Sequence, residues 1–231
     1  MTDKEGMTRS VGVLSAATAL SRVLGFARDA VNAALFGAGI ASDAFYAAFR
    51  VPNLLRDLLA EGALSSAFLP SFVEELSLKG RKEAWDLASA VINALLVVFA
   101  GIILLGEILS PLVARMLVPG MAQAGIALTT KLLRILFPFI AFMGFAAVFM
   151  GMLNAEKHFT VPALAPALAN VVMIVAGVML CPVFGTRPEE QIVGWTLGAL
   201  LGGLSQALIQ VPALMKKGIL YNPKIMFAHA G

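Results

Sequence analysis

Charge is scarce in this chain: Asp, Glu, Lys and Arg together make up 13% of it, against 59% hydrophobic residues. Soluble domains carry about a quarter charged residues, so this composition excludes an ordinary water-soluble core and fits a polytopic membrane protein. Aromatic residues are also few, at 8%, beside 21 glycines. That balance suits helices that approach closely, because in lipid, small residues and packing take over from the hydrophobic effect. Cysteine is nearly absent. The one thiol, Cys181, excludes an internal disulfide, and its apolar neighbours assign it to packing. His158 and His229 are far apart and have no Cys or acidic cluster at ligand spacing, so neither a metal nor a cofactor is expected. No nucleophile, base and metal arrangement and no hydrolytic carboxylate pair is visible, which argues against an enzyme. No nucleic-acid partner is expected. A signal peptide is considered because Lys4 and Arg9 precede an apolar run over 11–20. Arg22 follows at once, the small-residue cleavage pattern is missing and the helical pattern continues past Arg28, so this first helix is expected to be retained.

Long hydrophobic runs, by contrast, are plentiful. Hydropathy marks spans at 87–109, 131–153, 161–181 and 192–214, each near the ~20 residues a bilayer requires. Turn chemistry bounds them at Gly80, at Pro119-Gly120, between Asn154 and Lys157, and from Gly185 to Gln191. Two further segments, 11–36 and 41–72, carry charges that a window average would penalise. The second is also broken by Pro52, Gly62 and Pro70. Counting both gives an all-α bundle of six transmembrane helices over residues 1–217, followed by an interfacial segment over 218–231.

Loop charge supports the count of six. With the N-terminus inside, the cytoplasmic segments collect Lys4, Arg9, Lys79, Arg81, Lys82, Lys157, Lys216, Lys217 and Lys224, and the outer loops only Arg115 and Arg187. This is the positive-inside bias, and it holds only if both charged segments cross. In the last span Gly194, Gly198 and Gly202 recur every four residues and predict a flat packing ridge. Gln206 and Gln210, also four apart, either hydrogen-bond across helices or face a cavity.

The chemistry is concentrated near the N-terminus. At about 100° per residue, Thr18, Ser21, Arg22, Gly25, Arg28, Asp29 and Asn32 share an arc of roughly 120° on an otherwise apolar helix. A charge at the bilayer centre costs about 2.5 to 3.5 kcal/mol on insertion scales, so such residues face a bundle interior or a wet path. Arg28 could be neutralised across helices by Asp43 or Glu61, and Arg22 could snorkel if it lies near an interface. Neither explanation accounts for Ser21, Thr18 and Asn32 on the same face. Arg56 follows Pro52 and Asn53 and precedes Glu61-Gly62, on a helix interrupted at membrane depth. Such backbone is tolerated where it lines a cavity or is buried in protein. Arginines gathered at a cavity point to an anionic substrate, since the guanidinium fork matches phosphate oxygens and keeps its charge when desolvated.

Five sequence stretches carry a resemblance. They are Ser21 to Asp29 (SRVLGFARD), Phe36-Gly37-Ala38-Gly39 with Ser42-Asp43-Ala44-Phe45, Pro52 to Arg56 (PNLLR) with Ala60-Glu61-Gly62-Ala63, Phe68-Leu69-Pro70, and Asn154 to Pro162 (NAEKHFTVP). Together they closely resemble the MurJ/MviN lipid II flippases over nearly the whole chain. The resemblance implies the multidrug/oligosaccharidyl-lipid/polysaccharide exporter fold, two helical lobes around a cavity open alternately to each side. Of those lobes this sequence supplies the N-terminal one. It further implies a multi-pass place in the bacterial inner membrane, lipid II and membrane lipids as partners, and a second lobe or second chain to complete the path. By motif position, Arg22, Arg28 and Arg56 correspond to the family's cavity arginines, with Ser21, Asp29, Asp43 and Glu61 as neighbouring polar positions on the headgroup path. Two other functions are weighed beside it. A polysaccharide or drug exporter of the same superfamily would prefer acidic cavity residues if its cargo were a cationic drug. A non-transporting scaffold would depend on the glycine ridge.

Overall fold

The computed structural model describes residues 3–57 and 68–219, giving the backbone alone for residues 3–11, 13, 56 and 57. Among the described residues it is entirely helical, with eight helices. The N-terminal helix α1 (Asp3–Phe36) ends at Gly37, whose φ of 58° is left-handed backbone suited to glycine. Gly37 N–H closes the last turn on the Ala33 carbonyl at 2.9 Å, and the Ser42 hydroxyl donates back to the Gly37 carbonyl at 2.8 Å. These bonds turn the chain into α2 (Ile40–Asp57), which contains Pro52. The short α3 (Leu69–Leu78) precedes α4 (Arg81–Leu117), a helix of 37 residues. At 1.5 Å per residue α4 is about 55 Å long, more than the ~30 Å hydrocarbon thickness. After Pro119-Gly120 come α5 (Gln123–Ala155), α6 (Thr160–Phe184), α7 (Pro188–Leu208) and α8 (Val211–Lys216).

Four stretches are long and apolar enough to cross a membrane: α4, α5, α6 and Pro188–Lys216, the last comprising α7 and α8. Their outward faces are what hydrocarbon would meet. Leu104, Leu105 and Ile108 on α4 and Val175, Val178 and Met179 on α6 are exposed apolar side chains.

Helix α5 occupies the centre and packs against α2, α4 and α7, burying Leu132, Leu133, Leu136, Ile140, Met152 and Leu153 completely. The closest pair is α6 with α7, and the glycine ridge is the reason. A Cβ on Gly194 would meet the backbone of Leu180 and Cys181, one on Gly198 that of Gly177, and one on Gly202 the Ala169 carbonyl, all within 2.5 to 2.7 Å. Backbone therefore packs directly on backbone, and Cys181 is buried in this seam as a free thiol. Helix α1 leans on the outside of α6. That placement brings the polar stripe of the first helix to the rim of the α2–α5–α6–α7 core.

Between α7 and α8 the chain breaks at Ile209-Gln210, before Pro212. Gln210 is buried there, and its amide donates to the Ala146 carbonyl of α5 and to the Gln206 carbonyl, each at 3.0 Å.

Candidate functional site

A cavity of about 320 Å3 opens where α1, α2, α5, α6 and α7 converge. Its walls include Ser21 and Arg28 from α1, Phe49 and Asn53 from α2, Pro166 and Asn170 from α6, and Gln206 from α7. Gly202 and Gly203 of α7 also border it. Among the described residues that line it, Arg28 alone carries a charge.

Arg28 is half-buried and held from two sides. Its Nε and Nη2 donate to Asp29 Oδ1 at 3.0 and 2.9 Å, and its Nη1 donates to Asn170 Oδ1 at 3.2 Å. Asn170 in turn donates from Nδ2 to the Ser21 carbonyl at 3.3 Å, two helical turns before Arg28. Gly25 lies between them, and a Cβ there would sit 3.8 Å from Asn170 Nδ2. The α1 stripe thus docks on α6 through one amide that engages both a side chain and the backbone. Three of the five guanidinium N–H donors are used in these bonds, and among the described residues the other two have no partner.

The ion pair does not lock the site. Arg28 and Asp29 side chains are 27% and 53% exposed, and a pair so open to solvent is worth at most about 1 kcal/mol. A doubly charged phosphate group could therefore compete for the guanidinium. Asp29 takes the neutralising role expected of Asp43 from another helix; Glu61, the other partner expected for Arg28, lies outside the described residues. Immediate neighbours on a helix normally point apart, and here the long Arg28 side chain turns back to reach Asp29.

The remaining sequence candidates are placed unevenly. Ser21 and Arg28 line the cavity, whereas Arg22 and Asp43 are exposed and outside its lining. The stripe is therefore divided: Ser21, Gly25 and Arg28 turn toward α6, Asn32 is buried, and Thr18, Arg22 and Asp29 face outward. Arg56 lies in α2 one turn beyond Asn53, on the same helix face by spacing, but its side chain lies outside the described residues. Glu61 also lies outside them. Gln206 and Gln210 divide the two roles open to them: Gln206 lines the cavity and Gln210 hydrogen-bonds across to α5.

Asn170 was missed by sequence reasoning. Its signal was present, since an Asn in the middle of an apolar span is an expensive polar group that requires a partner. The partner could not be read, because Ser21 and Arg28 lie more than 140 positions earlier in the chain.

A bundle of long apolar helices, closed by a glycine seam and carrying an arginine at an internal cavity, defines a multi-pass helical membrane protein. A solved structure of MATE in complex with MaD3S shares the fold, superposing on 92% of this chain and 46% of its own, with a TM-score of 0.70 at 16% identity. A solved lipid II flippase MurJ in an inward closed conformation matches 92% of this chain and 43% of its own, with a TM-score of 0.75 at 31% identity. The family model for lipid II flippase MurJ matches residues 32–231. This chain belongs to the MurJ family of lipid II flippases. Among its relatives, "Lipid II flippase MurJ" of Burkholderia cenocepacia is 36% identical over 229 residues, 96% of this chain and 44% of the relative. "Probable lipid II flippase MurJ" of Vibrio cholerae is 36% identical over 233 residues, 97% of this chain and 44% of the relative. The chain thus spans less than half the length of the curated relatives it matches and corresponds to their N-terminal part.

Proposed function

We propose that this chain forms one wall of a path by which lipid II, a lipid-linked peptidoglycan precursor, passes from the cytoplasmic to the outer leaflet. It does so as the N-terminal lobe of a longer protein. The observation that carries this proposal is Arg28, half-buried at the cavity with two donors unpartnered among the described residues. A guanidinium presents paired N–H groups at the spacing of phosphate oxygens, and the substrate offers a pyrophosphate. Ser21, Asn53 and Gln206 supply hydroxyl and amide groups for the sugar-peptide part, while the polyprenyl tail stays in lipid. Arg22, Asp29, Asp43, Arg56 and Glu61 belong to the same headgroup path, the outward-facing ones completed by the second lobe.

In this proposal, α1 and the segment from α2 toward α3 cross the membrane with the four apolar stretches, and the N-terminus is cytoplasmic. An inside-negative potential then favours outward passage of an anion by about 2.3 kcal/mol per charge per 100 mV. Two charges gain roughly 5 kcal/mol on the same scale. The arginines need only lower the entry barrier and release the headgroup outside, as alternating access by rocking lobes allows.

The test is depletion and complementation. A peptidoglycan-making bacterium is depleted of its own flippase, the intact protein containing this chain is supplied, and lipid II accessible at the outer leaflet is measured. Restored exposure is expected. Normal amounts of protein in the membrane without restored exposure would sink the proposal.

Asn170 gives a graded check on the site. Asn170→Leu removes one hydrogen bond to a charged group, worth about 1.5 kcal/mol, and so slows lipid II exposure roughly tenfold while the protein stays folded. Asn170→Gln, which keeps the amide, recovers part of that loss. A rate equal to wild type for the leucine variant would remove Asn170 from the site.

A further inference from the structure

At the end of the bundle that carries Arg81, Glu156 and Lys217, a second concavity lies away from the cavity described above. It is an apolar groove of about 510 Å3 between α4, α5 and α8, lined by Ile92, Leu96, Phe145, Phe149, Leu214 and Met215. Basic groups gather at its polar end. Arg81 Nη2 donates to Glu156 Oε2 at 3.1 Å, and Lys217 Nζ donates to the Glu156 carbonyl at 3.2 Å and lies 3.7 Å from its carboxylate. Lys216 is exposed beside them. One nearly buried carboxylate thus meets two cations, with Lys216 exposed next in the chain, which leaves an excess of positive charge.

The acidic residues of α4 do not cancel that excess at the groove. By helical spacing Arg81 points within about 20° of Ile92, whereas Glu83 lies about 180° and Asp86 about 120° away from that direction. On α3, Glu75 accepts from Lys79 at 2.8 Å, and Glu74 is exposed. Depth matches as well. At 1.5 Å per residue, Phe149 and Phe145 lie about 10 and 16 Å along α5 from Glu156, and Ile92 lies about 16 Å along α4 from Arg81. A single leaflet, from headgroup to midplane, is about 20 Å deep.

We propose that this groove binds one anionic phospholipid, an acyl chain lying against Leu96, Phe145 and Phe149 and its phosphate taken by Lys216, Lys217 and Arg81. The site is independent of the Arg28 cavity and does not rest on the transport function proposed above.

The test uses the intact protein in nanodiscs of phosphatidylcholine, with phosphatidylglycerol of matched chains titrated in and retained lipid counted by native mass spectrometry. Each basic group near an anionic headgroup strengthens binding about fivefold, so phosphatidylglycerol is retained at least tenfold more tightly than phosphatidylcholine. Lys216→Gln lowers that preference about fivefold. Leu96→Trp, a substitution at an exposed position that fills the groove, abolishes specific retention, and Val97→Trp, exposed on the neighbouring face, leaves it intact. Equal retention of the two lipids overturns the proposal, as does loss with Val97→Trp equal to that with Leu96→Trp. So does retention unaffected by Leu96→Trp, the result expected if another part of the protein fills the groove or if surface charge alone binds the lipid.

Discussion

Replacing Arg28 with Ala in the intact protein is expected to slow lipid II exposure at the outer leaflet by roughly a hundredfold to ten-thousandfold. The magnitude follows from the two N–H donors that have no partner among the described residues: a hydrogen bond to a charged group is worth about 1.5 to 3 kcal/mol. Both donors disappear with the guanidinium, together with a full charge that helps an anion enter a low-dielectric site. The fold should survive. Arg28 is partly exposed and its pair with Asp29 is worth little, so a melting temperature close to wild type is expected alongside the lost activity. Arg28→Lys should fall between, because a lysine keeps the charge but cannot form the two-pronged contact or hold Asn170 in the same geometry. Lipid II exposure scored at matched membrane levels checks both variants. Full activity of the alanine variant would show that Arg28 does not bind the headgroup.

The second large effect concerns stability. A Cβ at Gly198 would lie 2.6 Å from the Gly177 nitrogen, 2.7 Å from the Gly177 Cα and 2.8 Å from the Met173 carbonyl. All three are backbone atoms, so no side-chain rotation relieves the clash and α7 must move off α6. Overpacking of this kind costs about 1 to 3 kcal/mol for one methyl group, so Gly198→Ala should melt several degrees lower in detergent or nanodiscs. Gly198→Leu should exceed the whole margin of the α6–α7 seam and fail to accumulate as folded protein. Gly101 on α4 is the control: nothing lies within 4 Å of its hypothetical Cβ. Gly101→Ala should therefore be neutral or stabilising by up to about 1 kcal/mol. A Gly198→Leu variant with wild-type melting would contradict the close backbone packing.

The two predictions separate the functions that were weighed. A scaffold that merely packs through its glycine ridge would tolerate Arg28→Ala and fail with Gly198→Leu. A flippase lobe fails with both, the first by losing substrate contact and the second by losing its fold.

The helical class was legible from composition and hydropathy, because lipid leaves the backbone few options and a span needs an unbroken apolar run. The helix boundaries at Gly80 and Gly185 were legible for a local reason: each glycine adopts a positive φ that a side chain would strain. The glycine ridge was visible from its spacing of four residues. Its partner was not, since any small-residue stripe on another helix would have matched it equally well.

The site was legible in part for the same reason. Periodicity along α1 placed Ser21, Arg28 and Asn32 on one arc, because helix geometry is a local property. It could not tell which edge of that arc turns toward α6 and which stays exposed, so Arg22 and Arg28 looked equivalent although only Arg28 lines the cavity. Nor could it find Asn170, whose role exists only because α1 packs on α6.

By itself, the sequence determined the solvent of this protein, its helical class, the polar stripe and the positions where its helices turn, since each depends on residues close together in the chain. Tertiary structure alone decided which arginine meets the cavity, which amide holds it, and where backbone touches backbone. Those outcomes depend on the rotation and docking of whole helices, and these are set by contacts between residues far apart in sequence.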